Sequence, residues 1–434
     1  MIYSIEQLYS VFQKHPSVCT DTRKLIEGSI FFALSGPSFN GNTFASQAIE
    51  GGCSYAVIDD PAYQNGEQYL LVENTLDSLQ KLATYHRRQL KTQIIGITGS
   101  NGKTTTKELV RNVLAMKYKT LATFGNLNNH IGVPLTLLKI DSSIEMAVIE
   151  MGASKQGDIK ELVDIAEPEF GLITNIGLAH LEGMGGPEGV IKTKTELYDY
   201  LRIHNGLVFV NSHHTVFEEK SMGINQFRFG AKETDDVKGK FEGSHPYVSF
   251  KWTSQKDWSN QPLIETQLMG RYNYENILAA VAIGVYFDVN EQDINDAIRS
   301  YSPDNNRSQL IETGKNTLIM DAYNANPTSL EAALLNFAAM EKVNKVVIIG
   351  KMMELGPTTL EQHAKIGNLA VTSGFDQVYL IGENYQISGV QGATQLFNNT
   401  EEAINWFSMH PLIDSTILIK GSRANQLEKL QPLF

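Results

Sequence analysis

Cysteine is scarce: the 434 residues contain two, Cys19 and Cys53. Two isolated thiols make neither a disulfide framework nor the paired spacing of a thiolate metal site. One pairing of the two is conceivable, but a reducing compartment is the simpler reading. Long apolar runs are missing as well. No stretch of about 18 apolar residues occurs, so no membrane span is expected. The opening Met1-Ile2-Tyr3-Ser4-Ile5-Glu6 lacks the pattern of a signal peptide. A cytoplasmic protein is expected. Basic charge is also in short supply, with 36 Lys and Arg against 48 Asp and Glu, a formal net charge of −12. That balance speaks against a nucleic-acid or acidic-membrane surface, yet leaves room for a local basic site for a small anion. Internal repeats, heptads and low-complexity tracts are absent too.

What is present is a globular composition, 42% hydrophobic and 19% charged, in a chain long enough for two to four domains. Its organising stretch is Gly96-Ile97-Thr98-Gly99-Ser100-Asn101-Gly102-Lys103-Thr104-Thr105. The apolar run Ile94 to Ile97 precedes it, and a helical pattern, Leu109, Val110, Val113 and Leu114, follows. Strand, glycine loop and helix in that order direct backbone N–H groups and a helix N-terminus at a phosphate. Lys103 is placed to reach the outer phosphates, and the Thr104 hydroxyl to face Mg²⁺. Strict Walker spacing asks for glycine at position 97, where this chain has Ile97, but the Gly99-x-x-Gly102-Lys103-Thr104 core is intact. A bare turn without a ligand accounts poorly for a lysine and three threonines opening a helix.

The pattern predicts an α/β protein of three units. Residues 1–84 read as a small mixed α/β unit with two polar loops, Thr20 to Arg23 and Ser35 to Asn42. Arg23 is the natural anion partner there, or else a plain surface salt-bridge residue. Residues 85–304 read as a central P-loop unit. Its short, unalternating strands end in Glu150, in Thr174-Asn175 and in Asn211, which suits a mostly parallel sheet covered on both faces. Between about 226 and 270 the alternation of Tyr247 to Trp252 predicts a small antiparallel addition. Residues 305–434 read as a Rossmann-like α/β unit, entered through the polar stretch Ser302 to Asn306.

Several residues carry candidate chemistry beside a structural alternative. Glu150, closing a strand next to the P-loop, is a Mg²⁺ ligand or a solvated strand end. His180 is a phosphate or metal group or a surface residue. Lys194 on a helix reads as a solvated lysine, with nothing to prefer it to Lys192. Asn273 fits an N-cap for a helix at 274 to 287 and can also meet an adenine edge. Asp321 ends a strand, where ribose hydroxyls are commonly met. Arg307, past the boundary, can swing onto a γ-phosphate when domains close.

Taken together, Thr20-Asp21-Thr22-Arg23, the P-loop, Gly125 to Leu135, Glu150-Met151-Gly152-Ala153, Thr174 to Gly177 with His180, Gly270 to Asn273, Tyr323 to Pro327 and Lys420 to Arg423 resemble the ATP-dependent Mur ligases of peptidoglycan synthesis. The resemblance spans the whole chain. The Tyr323 to Pro327 and Gly350 to Gly356 stretches resemble the branch that joins D-alanyl-D-alanine to UDP-N-acetylmuramoyl-tripeptide. It implies that the first unit holds the UDP substrate through Thr22, Arg23, Ser35, Asn40 and Gly41. It implies ATP on Gly99, Asn101, Gly102, Lys103, Thr104 and Thr105, with Asn273 at adenine, Asp321 at ribose and Arg307 near the γ-phosphate. Two Mg²⁺ ions are implied on Thr104, Glu150 and His180, with Lys194 carbamylated and contributing. Asn128, Asn324 and Asn326 would touch substrate, and a monomer is expected. One residue departs from the family pattern: Lys351 stands where aspartate is usual. The competing readings are a Mur ligase adding lysine or diaminopimelate, and a nucleotide-binding regulator without chemistry. The Asp-Asn-Pro-Arg stretch of the diaminopimelate adders is not found, which leaves lysine addition open. Lys103, Thr104, Glu150 and His180 are all retained, which weighs against a lost activity.

Overall fold

The computed structural model describes residues 2–244, 246–259, 261–303 and 307–434. The expected entry to the third unit, at Asp304 to Asn306, lies outside the described residues. Three sheets organise the chain. The first is four-stranded and parallel, with Val18–Cys19, Ile30–Phe32, Tyr55–Ile58 and Tyr69–Leu71 in sequence order. The helix Thr75–Arg88 leaves it and packs on central helices. The expected boundary at 84 falls inside that helix. Leu8, Phe12, Ile30, Phe32 and Val57 share one apolar core with Ile94, Val133 and Ile149, so the first unit is seated on the second.

The central sheet has nine strands. From one edge, Thr120–Ala122, Met146–Glu150, Gln93–Thr98, Phe170–Ile173, Leu207–Asn211, Asn225–Gly230 and Val237–Ser244 run parallel. Tyr247–Thr253 and Ile264–Met269 complete it antiparallel. Strand residues alternate between two cores. Met146 and Val148 pack with Leu109 and Ile277, while Ala147 and Ile149 pack with Leu162 and Leu197. Burial on both faces is why these strands read as continuous apolar runs. The expected antiparallel addition is present, but it starts at Val237 rather than near 226. Asn225–Gly230, inside the expected span, pairs parallel with both of its neighbours.

The third sheet orders Gln309–Glu312, Thr317–Asp321, Thr416–Lys420, Lys345–Gly350, Gln377–Ile381 and Gln395–Phe397. All neighbours are parallel except the first hairpin. Its faces are covered by two separate cores, one holding Val347 and Ile349, the other Val346 and Ile348. Among the described residues no helix is long and apolar enough to cross a membrane.

Candidate active site

Three neighbouring central strands end at one edge, which places the loop after Thr98, Glu150 and the loop after Ile173 side by side. Ligands of open α/β sheets bind outside such carboxyl ends. The loop itself demands glycine at two places. Gly99 has φ +146°, and a Cβ there would lie 2.0 Å from the Thr174 hydroxyl. Gly102 has φ +75°, and its Cβ would lie 2.5 Å from Asn276 Oδ1. Gly102 also begins the helix Lys103–Ala115, and no side chain caps that end. Its first N–H groups are available to an anion.

A cleft of about 1020 Å³ opens over this edge, between the central and third sheets. Asn101, Gly102, Lys103, Thr104, Thr105, Asn128, Glu150, His180, Asn273, Arg307, Asp321 and Asn324 all line it. Lys103 folds back on the loop, donating to the Gly99 carbonyl at 2.7 Å. Burial holds its ammonium below the ordinary lysine value, with Glu150 opposing and Arg307 adding to the effect. Thr104 Oγ1 donates to Glu150 at 2.9 Å, and Asn128 Nδ2 donates to the other Glu150 oxygen at 2.7 Å. Both Thr104 and Glu150 are buried. A hydroxyl and a carboxylate at that spacing suit a hard cation that takes its other oxygens from phosphates and water. Among the described residues no three His, Cys, Asp or Glu side chains form a cation cage of their own.

The third sheet supplies the opposite wall. Asp321 pairs with Lys420 at 2.6 Å on the neighbouring strand. The Arg307 guanidinium lies 3.8 Å from the Tyr323 ring centroid. Asn326 does not line the cleft. It caps the helix Pro327–Ala339 and donates to Asn101 Oδ1 at 2.7 Å, bridging the two walls.

Some expectations change. Asn273 is not an N-cap: the helix runs Tyr272–Tyr286, and Asn273 lies within its first turn. Its amide donates to the Met269 carbonyl and accepts from Asn276, so it braces Asn276 instead. Lys194 is not on a wet face. It is 1% exposed, whereas Lys192 is exposed. Burial, helped by Lys103 and opposed by Asp158 and Glu196, brings its pKa down to about 7. The signal was in the sequence, because Val190, Lys194, Leu197 and Leu201 share one helical stripe. Lys194 lies behind the cleft rather than on its surface, near enough to lower the pKa of His180. His214 and Glu275 had no such signal. They join at 2.8 Å on the cleft wall, with Asn211 donating to the same carboxylate oxygen at 3.0 Å.

Thr22, Arg23, Ser35, Asn40 and Gly41 are not brought to this cleft. Arg23 makes a two-point contact with Asp21, at 2.9 and 2.8 Å, and its side chain is 87% exposed. The Ser35 hydroxyl donates to Asn40 and accepts from the Gly41 N–H.

The Mur ligase middle domain matches residues 97–284, and the Mur ligase glutamate ligase domain matches residues 306–423. The chain belongs to the Mur ligase family. This Mur ligase is 35% identical to the UDP-N-acetylmuramoyl-tripeptide–D-alanyl-D-alanine ligase of Bacillus subtilis, over 95% of this chain and 92% of that one. Its fold is similar to that of MurF from Acinetobacter baumannii, with a TM-score of 0.86 and 29% identity over 100% and 98% of the two chains. It is also similar to the MurF ligase of Thermotoga maritima in complex with ADP, with a TM-score of 0.84 and 25% identity over 96% of each chain.

Proposed function

We propose that this Mur ligase joins D-alanyl-D-alanine to UDP-N-acetylmuramoyl-tripeptide, consuming ATP and giving UDP-N-acetylmuramoyl-pentapeptide, ADP and phosphate. The observation that carries the reading is the single cleft in which the P-loop and Glu150 face Arg307, Asp321 and Asn324 from another sheet. The full-length likeness to tripeptide–D-alanyl-D-alanine ligases supports the choice of amine. The enzyme works in the cytoplasm as a monomer of three units, the first joined to the central one through the helix Thr75–Arg88.

A carboxylate and an amine do not condense in water without activation. A tripeptide carboxylate oxygen attacks the γ-phosphorus and ADP leaves, forming an acyl phosphate. The D-alanyl-D-alanine amine then attacks the acyl carbon, loses a proton, and expels phosphate. Two anions meet in the first step, so positive groups at the γ-phosphate count most. Lys103 on the P-loop and Arg307 on the opposite wall both line the cleft, and the loop N–H groups would hold the chain of phosphates. Thr104 and Glu150 would hold magnesium, with His180 holding a second ion. The metal would screen the phosphate charge. Asn273 and its partner Asn276 sit at the adenine in this reading, and Asp321 at the ribose. Carbamylation of Lys194 requires a free amine, and its lowered pKa supplies one near neutrality. Closure of the two walls keeps water from the acyl phosphate. Thr22, Arg23, Ser35, Asn40 and Gly41 belong to a separate UDP site on the first sheet.

Purified enzyme offered UDP-muramoyl dipeptide or tripeptide, with lysine, diaminopimelate or D-alanyl-D-alanine, tests the reading by product mass. Product is expected only from tripeptide with D-alanyl-D-alanine. Addition of lysine or diaminopimelate to the dipeptide would overturn it.

A further inference from the structure

The Lys351–Leu355 loop follows the strand Lys345–Gly350 of the third sheet and belongs to neither the P-loop wall nor the first unit. It nevertheless carries Glu354 across to the central unit, where the carboxylate meets His180 Nδ1. That nitrogen is buried, and the carboxylate approaches it without a well-aligned hydrogen bond. Both residues have left-handed backbones, φ +52° at His180 and φ +61° at Glu354. Non-glycine residues adopt that conformation at a cost. Neighbouring contacts hold the same seam. The Leu178 N–H donates to Thr328 Oγ1 at 3.1 Å, and Gly356 packs on Glu182.

We infer that Glu354 is a positioning residue: when the third unit closes on the central one, its carboxylate fixes the His180 ring by Nδ1 and leaves Nε2 to the phosphate cleft. The reasoning is geometric. An imidazole has two ring nitrogens, and a carboxylate on one sets what the other presents. His180 lines the cleft, so with Nδ1 turned into the seam, Nε2 is the polar atom left for it. The carboxylate and the imidazole come from different units. The orientation of His180 is therefore complete only when the walls are together, which links closure to the readiness of the site. The inference rests on the reading of His180 as a metal or phosphate group.

The variant Glu354→Gly removes the carboxylate and at the same time relieves the left-handed backbone, so a merely structural role would be preserved or improved. Two quantities are read beside its melting curve: kcat against KM for the UDP-tripeptide, and Mn²⁺ affinity by paramagnetic resonance with a non-hydrolysable ATP analogue and the UDP-tripeptide bound. Loss of an outer partner of this kind is expected to cost about 10–100-fold in kcat and in affinity for the weaker Mn²⁺. KM for the UDP-tripeptide should stay within about twofold, because that ligand's uniform binding is untouched. The melting temperature should not fall. His180→Ala is measured in parallel. If His180→Ala loses rate and Mn²⁺ affinity while Glu354→Gly keeps both, the role of Glu354 is overturned and the site reading stands. If His180→Ala keeps both, the reading of His180 itself is overturned.

Discussion

The cleft and the polar loops of the first unit hold their side chains in opposite ways. In the cleft, partners come from far apart in the chain: Thr104 with Glu150, Asp321 with Lys420, Asn101 with Asn326. In the first unit they are mostly local: Arg23 with Asp21, Ser35 with Asn40, Asn40 with Asn42, with Asn42 alone of these reaching on to Asp59. A network tied by the fold is organised before a ligand arrives. A network tied within a loop is satisfied by itself and has to be exchanged. The exchange at Arg23 costs little, because an exposed ion pair contributes about 0–1 kcal/mol. The comparison therefore predicts large catalytic effects with little change in UDP-tripeptide binding at the cleft, and selective binding effects at the loops.

The largest effect is expected at Lys103. Lys103→Ala removes a charge that in the proposed reaction turns from the Gly99 carbonyl to the transferring group, and should lower kcat by about 10²–10³-fold. Phosphate release with all substrates, beside a melting curve close to the parent's, checks it. Parental activity would break the assignment of the loop. Next is Lys194→Ala, expected to lose most activity and to regain part of it with formate or acetate at fixed ionic strength. Lys192→Ala should do neither, since that side chain is exposed. A fully active Lys194→Ala would remove this residue from the site. Arg23→Ala should follow, raising the dissociation constant of the UDP-tripeptide about tenfold while leaving that of ATP unchanged, in keeping with the loss of one or two charged hydrogen bonds. Equal losses for both ligands, measured by separate titrations, would dissolve the contrast between the two regions.

The smallest effect concerns the His214–Glu275 pair. The hydrogen bond to Glu275 raises the His214 pKa, against burial. Burial alone would raise the Glu275 carboxyl, but the bond and charge of His214, with His213 and Asn211 adding, lower it. A raised histidine contributes stability that is complete below its ordinary value of about 6.5 and is lost as pH climbs through the folded value. The carboxylate's contribution is present above about 4.3 and is lost as pH falls through its lowered value. The pair is therefore strongest between those limits. Going from pH 6 to pH 8 should cost the parent under about 1 kcal/mol, since both groups are about a third exposed and screened. His214→Gln should flatten that slope in urea unfolding at the two pH values, and an unchanged slope would discount the pair.

How much was legible follows the same division between local and distant. The P-loop could be read because strand, glycines and helix are contiguous, although the crowding that demands glycine at 99 and 102 comes from Thr174 and Asn276, far along the chain. Glu150 could be placed beside it because a parallel sheet gathers strand ends. Lys194 was readable in principle, from the stripe it shares with Val190 and Leu197, but the habit of lysine for solvent hid it. Asn273 looked like a cap because asparagine so often is one, and the helix simply began earlier. The Glu354–His180 contact was beyond the sequence: it joins residues of two sheets through a loop with no pattern of its own.

The most direct test of the account follows one oxygen. UDP-N-acetylmuramoyl-tripeptide labelled with ¹⁸O in its terminal carboxylate is turned over with ATP and D-alanyl-D-alanine, and the released phosphate is examined by mass. Attack of that carboxylate on the γ-phosphorus predicts one ¹⁸O atom in each phosphate for every pentapeptide formed. Phosphate free of label, beside a labelled pentapeptide, would contradict it.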